Sequence, residues 1–96
     1  MRIAFLLYDQ LTQLDMTGPA QVLSRMPGAT VDYVAKSLDP VMSDCRLALV
    51  PTATLAESGQ YDFLCVPGGF GCSAVMNDAE TLAWLQAQAP GLKWLT

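Results

Sequence analysis

Two short segments hold most of the groups in this chain that could act on a ligand. The first, Gln13-Leu14-Asp15-Met16-Thr17-Gly18-Pro19, sets one carboxylate between two apolar residues, just ahead of a Gly-Pro pair. Asp15 has two readings. It can be a helix cap or a solvated loop carboxylate. It can also be a carboxyl group in a partly apolar pocket, where burial would raise its pKa and a nearby helix N-terminus would lower it. A carboxyl group tuned between those influences exchanges protons near neutral pH, as general acid–base chemistry requires. Thr17 could orient that carboxylate or cap the helix. The second segment is Pro67-Gly68-Gly69-Phe70-Gly71. Gly68 and Gly69 remove Cβ atoms where the backbone turns sharply. The turn is either purely structural or a source of exposed N–H groups that stabilise developing negative charge. No Gly-Lys-Ser/Thr follows, so it is not a P-loop, and it lacks the GxGxxG spacing of a dinucleotide site.

A nucleophile is harder to find. Cys45, Cys65 and Cys72 are the cysteines, and histidine is absent. No Ser-His or Cys-His pair and no histidine-based metal site can be assembled from these residues. Cys72 follows the glycine-rich loop, but no basic neighbour in sequence lowers its pKa, which points to a structural role. Cys65 falls inside an apolar run and reads as packing; Cys45 lies in a turn. An odd count without CxxC spacing argues against a disulfide framework or a zinc site and suits a reducing, cytoplasmic setting.

Composition narrows the partners. The chain has 96 residues, 52% of them hydrophobic, and a mean hydropathy of +0.31. A domain of this size buries only about 60–65% of its unfolded surface. The surplus apolar surface calls for a partner, either a further part of the same domain or a second subunit. Net charge is −4, and Arg2, Arg25, Lys36, Arg46 and Lys93 are scattered, so no nucleic-acid footprint exists. The longest apolar runs, about six residues, fall far short of the ~20 of a membrane span. Arg2 leads directly into a strand-like segment without a signal-peptide pattern.

These loops need a scaffold, and the periodicity supplies one. Residues 2–8 form a continuous apolar run, expected of a strand buried on both faces of a parallel sheet. Residues 9–17 read as a loop, and Gly18-Pro19 as the start of a helix with Pro19 at its first position. Ala20, Val22, Leu23 and Met26 supply its apolar side, and Pro27-Gly28 its end. Thr30 to Ala35 is a second strand. Val41-Met42-Ser43 and Leu47-Ala48-Leu49-Val50 form a hairpin around Asp44-Cys45-Arg46, and Tyr61 to Val66 is another buried strand. Asn77 and Glu80 make a capping box for a helix that runs to about Ala89, with Leu82 and Leu85 inward and Pro90-Gly91 as its stop. Residues 92–96 open a further strand. The whole is one unit, residues 1–96, without repeats or linkers: half of an α/β layer sandwich. Both loops follow strands, so they should share the carboxyl edge of the sheet, where such folds bind ligands.

Together the segments resemble the ThiJ/PfpI family of the class I glutamine-amidotransferase-like superfamily. The resemblance rests on Ile3–Tyr8, on Leu14-Asp15-Met16-Thr17-Gly18-Pro19 and on Asp62–Gly71, and the element order agrees along the whole chain. Asp-x-x-Gly-Pro paired with Pro-Gly-Gly at this separation is a fairly specific combination. The segment Gln13 to Pro19 is most similar to the isocyanide (isonitrile) hydratase branch; deglycase-like and protease-like branches usually carry Glu at the acidic position. The resemblance implies a flavodoxin-like three-layer sandwich that dimerises, of which this is the N-terminal part. It implies a hydro-lyase acting on a small-molecule isocyanide, with Asp15 as proton-transfer group. Thr17, Gly18, Gly68, Gly69 and Phe70 would lie around the substrate, and no metal or organic cofactor is needed. The nucleophilic cysteine would sit on an elbow just beyond Thr96, so residues 1–96 alone are expected to be inactive. Two other roles fit similar domains: the ligand-sensing half of an AraC-type transcription regulator, which a basic helix-turn-helix extension of about 100 residues would mark, and a redox or stress-response protein.

Overall fold

A computed structural model describes residues 1–95. The elements are β1 (Arg2–Leu6), α1 (Gln13–Leu23), β2 (Thr30–Ala35), β3 (Val41–Met42), β4 (Ala48–Leu49), β5 (Ala53–Thr54), β6 (Phe63–Cys65), α2 (Cys72–Met76), α3 (Ala79–Gln88), a 3₁₀ turn (Ala89–Gly91) and β7 (Trp94–Leu95). The five-stranded sheet has the order β5-β2-β1-β6-β7 and is parallel throughout. β1 is its centre: Ile3, Ala4 and Phe5 are fully buried, as a central parallel strand requires. Phe5 lies opposite Tyr33 of β2 and Cys65 of β6.

The connections fix the layers. β1 crosses through α1 to β2 on one side, whereas β6 crosses through α2 and α3 to β7 on the other. Crossovers of this kind are right-handed. Opposite directions of travel therefore put α1 on one face and α3 on the other, giving the α/β flavodoxin-like arrangement. The hairpin forms as expected, β3 against β4, in a separate two-stranded sheet. Its turn uses Arg46 at φ 68° instead of a glycine, held by the Arg46 N–H to the Ser43 carbonyl at 3.2 Å. No helix among the described residues is long and apolar enough to cross a membrane.

Several local expectations are corrected. Helix α1 begins at Gln13, not Gly18, so Pro19 lies inside it. An interior proline leaves the Asp15 carbonyl without its donor and costs about 3 kcal/mol. Tertiary anchoring overrides that cost. The 9–12 loop is clamped by Gln10 N–H to Met42 O (2.8 Å), Asp44 N–H to Leu11 O (2.9 Å) and Thr12 N–H to Gly68 O (2.8 Å), and the chain turns helical as soon as it leaves the clamp. The earlier start also resets the inward stripe to Met16, Ala20 and Leu23; Val22 and Met26 are exposed. Helix α3 is capped by Asp78, which accepts from the Thr81 N–H at 3.3 Å, while Asn77 donates back to Ser73 O. Its buried positions are Thr81, Trp84 and Gln88, and Leu82 is exposed. Gln88 faces inward because its amide ties the 59–61 segment, accepting from Tyr61 N–H at 2.9 Å and donating to Gly59 O at 2.7 Å.

Candidate functional site

β1 and β6 are neighbours whose following connections leave in opposite directions, which makes the gap at their carboxyl ends the topological switch point of the sheet. Both candidate loops meet there. Asp15 sits in the first turn of α1, where the helix dipole favours its negative charge. Its Oδ2 accepts the Gly68 N–H at 3.3 Å. One residue on, among the described residues, no acceptor takes the Gly69 N–H. The expected common edge is thus a direct contact.

The glycines of the second loop have physical reasons. Gly69 adopts φ +145°, and a Cβ there would meet backbone atoms of Gln10, Leu11 and Thr12 at 2.6–2.8 Å. At Gly71 a Cβ would collide with the Asp9 carbonyl. At Gly68 it would press on Asp15 Oδ2 at 3.1 Å. Gly69→Ala is accordingly expected to destabilise the fold, with about 1–3 kcal/mol from backbone strain alone and more from the backbone contacts. A thermal melt that matches the parent would show that the turn is not held in this way.

Within residues 1–95 Asp15 itself is solvent-exposed. Its neighbours explain this: Met16 turns into the core, whereas Leu14 is 65% exposed and covers little. On one side the carboxylate borders an open cavity of about 360 Å³, lined by Leu14, Pro19, Phe63, Cys65, Val66, Pro67 and Gly68 as well. A larger cavity, about 530 Å³, opens between Leu6, Tyr8, Lys36, Val41, Ala74 and Thr81. Asp15 and Gly68 do not line it, so the smaller cavity is the one that meets the carboxylate.

The remaining expected positions separate. Gly18 lies in α1, where a Cβ would meet Leu14 Cδ1 at 3.8 Å, an ordinary contact. The Thr17 hydroxyl lies within hydrogen-bond reach of Gln13 O and Oε1 (3.0 and 2.9 Å) and borders another cavity, beside Met16 and Tyr33. Thr17 therefore neither orients Asp15 nor caps α1, whose N-cap is Thr12. The Phe70 side chain is 87% exposed.

Of the thiols, Cys65 is buried in the wall of the Asp15 cavity; burial, with the Asp15 charge second, pushes its pKa up and keeps it protonated. Cys72 opens α2, its backbone N–H donating to Gly69 O at 3.1 Å. Cys45 is exposed, 3.3 Å from Ser43 Oγ. One residue escaped the sequence reading. Tyr8 is buried, and its hydroxyl donates to the Pro67 carbonyl immediately before the double glycine. The only signal was a phenol closing an otherwise hydrocarbon run.

A parallel sheet with helices on both faces, whose switch point joins a carboxylate loop to a glycine-rich turn, defines a flavodoxin-like α/β protein. Residues 1–95 match the DJ-1/PfpI family, and the chain belongs to it. It is 42% identical over 96 residues to an isonitrile hydratase of Pseudomonas putida, a match covering all of this chain and 42% of that protein. A ThiJ/PfpI family protein from Pseudomonas syringae superposes with a TM-score of 0.94 at 42% identity, over 98% of this chain and 40% of that one. Drosophila melanogaster DJ-1beta, at 22% identity and a TM-score of 0.83, covers 94% of this chain and 50% of its own length and shares the fold. The chain thus spans about two-fifths of the two relatives it matches at 42% identity.

Proposed function

We propose that this chain supplies the acid–base half of an isocyanide hydratase active site. The observation that carries the reading is the contact of Asp15 with the Gly68 amide beside an apolar cavity, in a chain 42% identical along its whole length to an isonitrile hydratase. A cysteine thiolate from a part of the protein beyond residues 1–96 attacks the terminal carbon of R–N≡C. Asp15, which took the thiol proton as that thiolate formed, delivers it to the carbon, giving the thioimidate R–N=CH–S–Cys. Water then adds to the carbon and gives a proton to Asp15. Proton transfer to nitrogen and expulsion of the thiolate release R–NH–CHO, so the sum is one isocyanide plus one water. The Gly69 N–H has no acceptor among the described residues and lies one residue past Gly68, which lines the cavity; we assign it as the donor to the tetrahedral intermediate. Thiolate attack and proton transfer need no metal or organic cofactor.

The cavity argues for an apolar R group, since Leu14, Phe63 and Val66 line it. The rest of the domain, and a second copy in a homodimer, would cover the exposed Trp94 and Leu95 and the open side of the cavity. The complete protein should consume alkyl and aryl isocyanides, read as loss of the isocyanide infrared stretch, with a higher kcat/KM than for a carboxylate-bearing analogue. Tight binding of an isocyanide without its consumption would refute the enzyme and favour a sensor.

A further inference from the structure

We propose that the Tyr8 hydroxyl is a positioning group for Asp15, acting through the Pro67–Gly68 peptide. The proposal rests on the reading of Asp15 as the proton-transfer group. The carbonyl of Pro67 and the N–H of Gly68 belong to one peptide unit, and the described chain contains no cis peptide bond. In a trans unit the two groups point in opposite directions. Tyr8 holds the carbonyl end from inside the fold, and Asp15 accepts from the N–H end at the switch point. Rotating this peptide would break both bonds and turn the carbonyl oxygen towards the carboxylate, two electron-rich groups face to face.

The neighbouring bonds do not duplicate this control. Thr12 N–H takes the next carbonyl, Gly68 O, at 2.8 Å, and Cys72 N–H takes Gly69 O at 3.1 Å. With no side chain at Gly68 or Gly69, the Pro67–Gly68 plane would otherwise be among the easier ones in the loop to rotate. Tyr8 is 8% exposed, so its hydroxyl is sheltered from competing water. Burial first, then the charges of Cys72, Asp15 and Asp44, push the phenol up to about 12, so it remains a donor across the working pH range. Phenylalanine would fill the same space and leave the Pro67 carbonyl free. What tyrosine adds here is the orientation of one peptide.

The test uses the complete protein and Tyr8→Phe. Amide hydrogen exchange at Gly68 should accelerate about tenfold or more, as expected for a local opening, while Leu64 in β6 exchanges as in the parent. kcat on an isocyanide should fall about tenfold, with KM within about twofold, as for a misplaced catalytic group. In an Asp15→Asn background the Tyr8→Phe effect on kcat should largely vanish, because the two residues act in series. Unchanged Gly68 exchange, or a kcat loss of full size in the Asp15→Asn background, would overturn the proposal. Isotope-edited infrared of the parent, carrying ¹³C at the Pro67 carbonyl, needs no variant: a strongly hydrogen-bonded frequency is expected, and that of a free carbonyl overturns it. Should the parent hydrate no isocyanide while Gly68 exchange still responds to Tyr8→Phe, the Tyr8 contact is upheld and only the reaction assignment fails.

Discussion

Asp15→Asn is expected to lower kcat of the complete protein by about 10²–10⁴-fold, the range for losing a general acid–base group, with little change in stability. The two side chains have nearly the same shape. Asparagine keeps an oxygen that can accept the Gly68 N–H, now 3.3 Å from Asp15 Oδ2, so the loop contact survives. What disappears is the titratable proton. Within residues 1–95 the carboxylate is exposed. The structural loss is confined to its favourable place in the first turn of α1, about 0.3–1 kcal/mol. Steady-state kinetics and a thermal melt on the same preparation separate the two effects. Should the Asn variant turn over at the parent rate, Asp15 is a helix-terminus charge and the proposed chemistry fails.

The other large effect concerns sulfur. Alanine at the proposed elbow cysteine beyond Thr96 should eliminate turnover, whereas Cys72→Ala should retain most of it. Cys72 closes the glycine-rich loop through its backbone N–H, which alanine also possesses. Cys65 is buried, and both burial and the Asp15 charge hold it in the unreactive thiol form. Cys45 lies in the exposed hairpin turn, beside a hydroxyl that cannot serve as its base. Stoichiometric iodoacetamide followed by peptide mass spectrometry should place the label on the elbow peptide. Preferential labelling of Cys72 with matching loss of activity would overturn the assignment.

What could be read from the sequence follows the range of the interactions involved. Strand β2 has the bounds that its pattern predicts, Thr30 to Ala35, because burial and β-branching are local signals. The hairpin was legible for the same reason, although nothing in the sequence announced that Arg46 would take the positive φ. The meeting of Asp15 and Gly68 followed from topology alone, since both loops leave the carboxyl ends of strands that prove to be neighbours. Features set by distant partners were not legible. Pro19 suggested a helix start, yet the start is dictated by the clamp on residues 9–12. Thr81 and Gln88 displaced Leu82 from the inward face of α3 because the Asp78 cap and the 59–61 segment engage their polar atoms. Short elements such as β5 and α2 carry too few residues for a period to show. Tyr8 passed as one more apolar residue, since its use depends on a carbonyl 59 positions away.

The enzyme reading is tested most directly by following one apolar isocyanide with the complete protein in oxygen-18 water. The expected product is the N-substituted formamide, formed over many turnovers and carrying one labelled oxygen per molecule, because water supplies the carbonyl oxygen after thiolate attack. An intact isocyanide after prolonged incubation with folded protein, or a product without the label, would contradict the account.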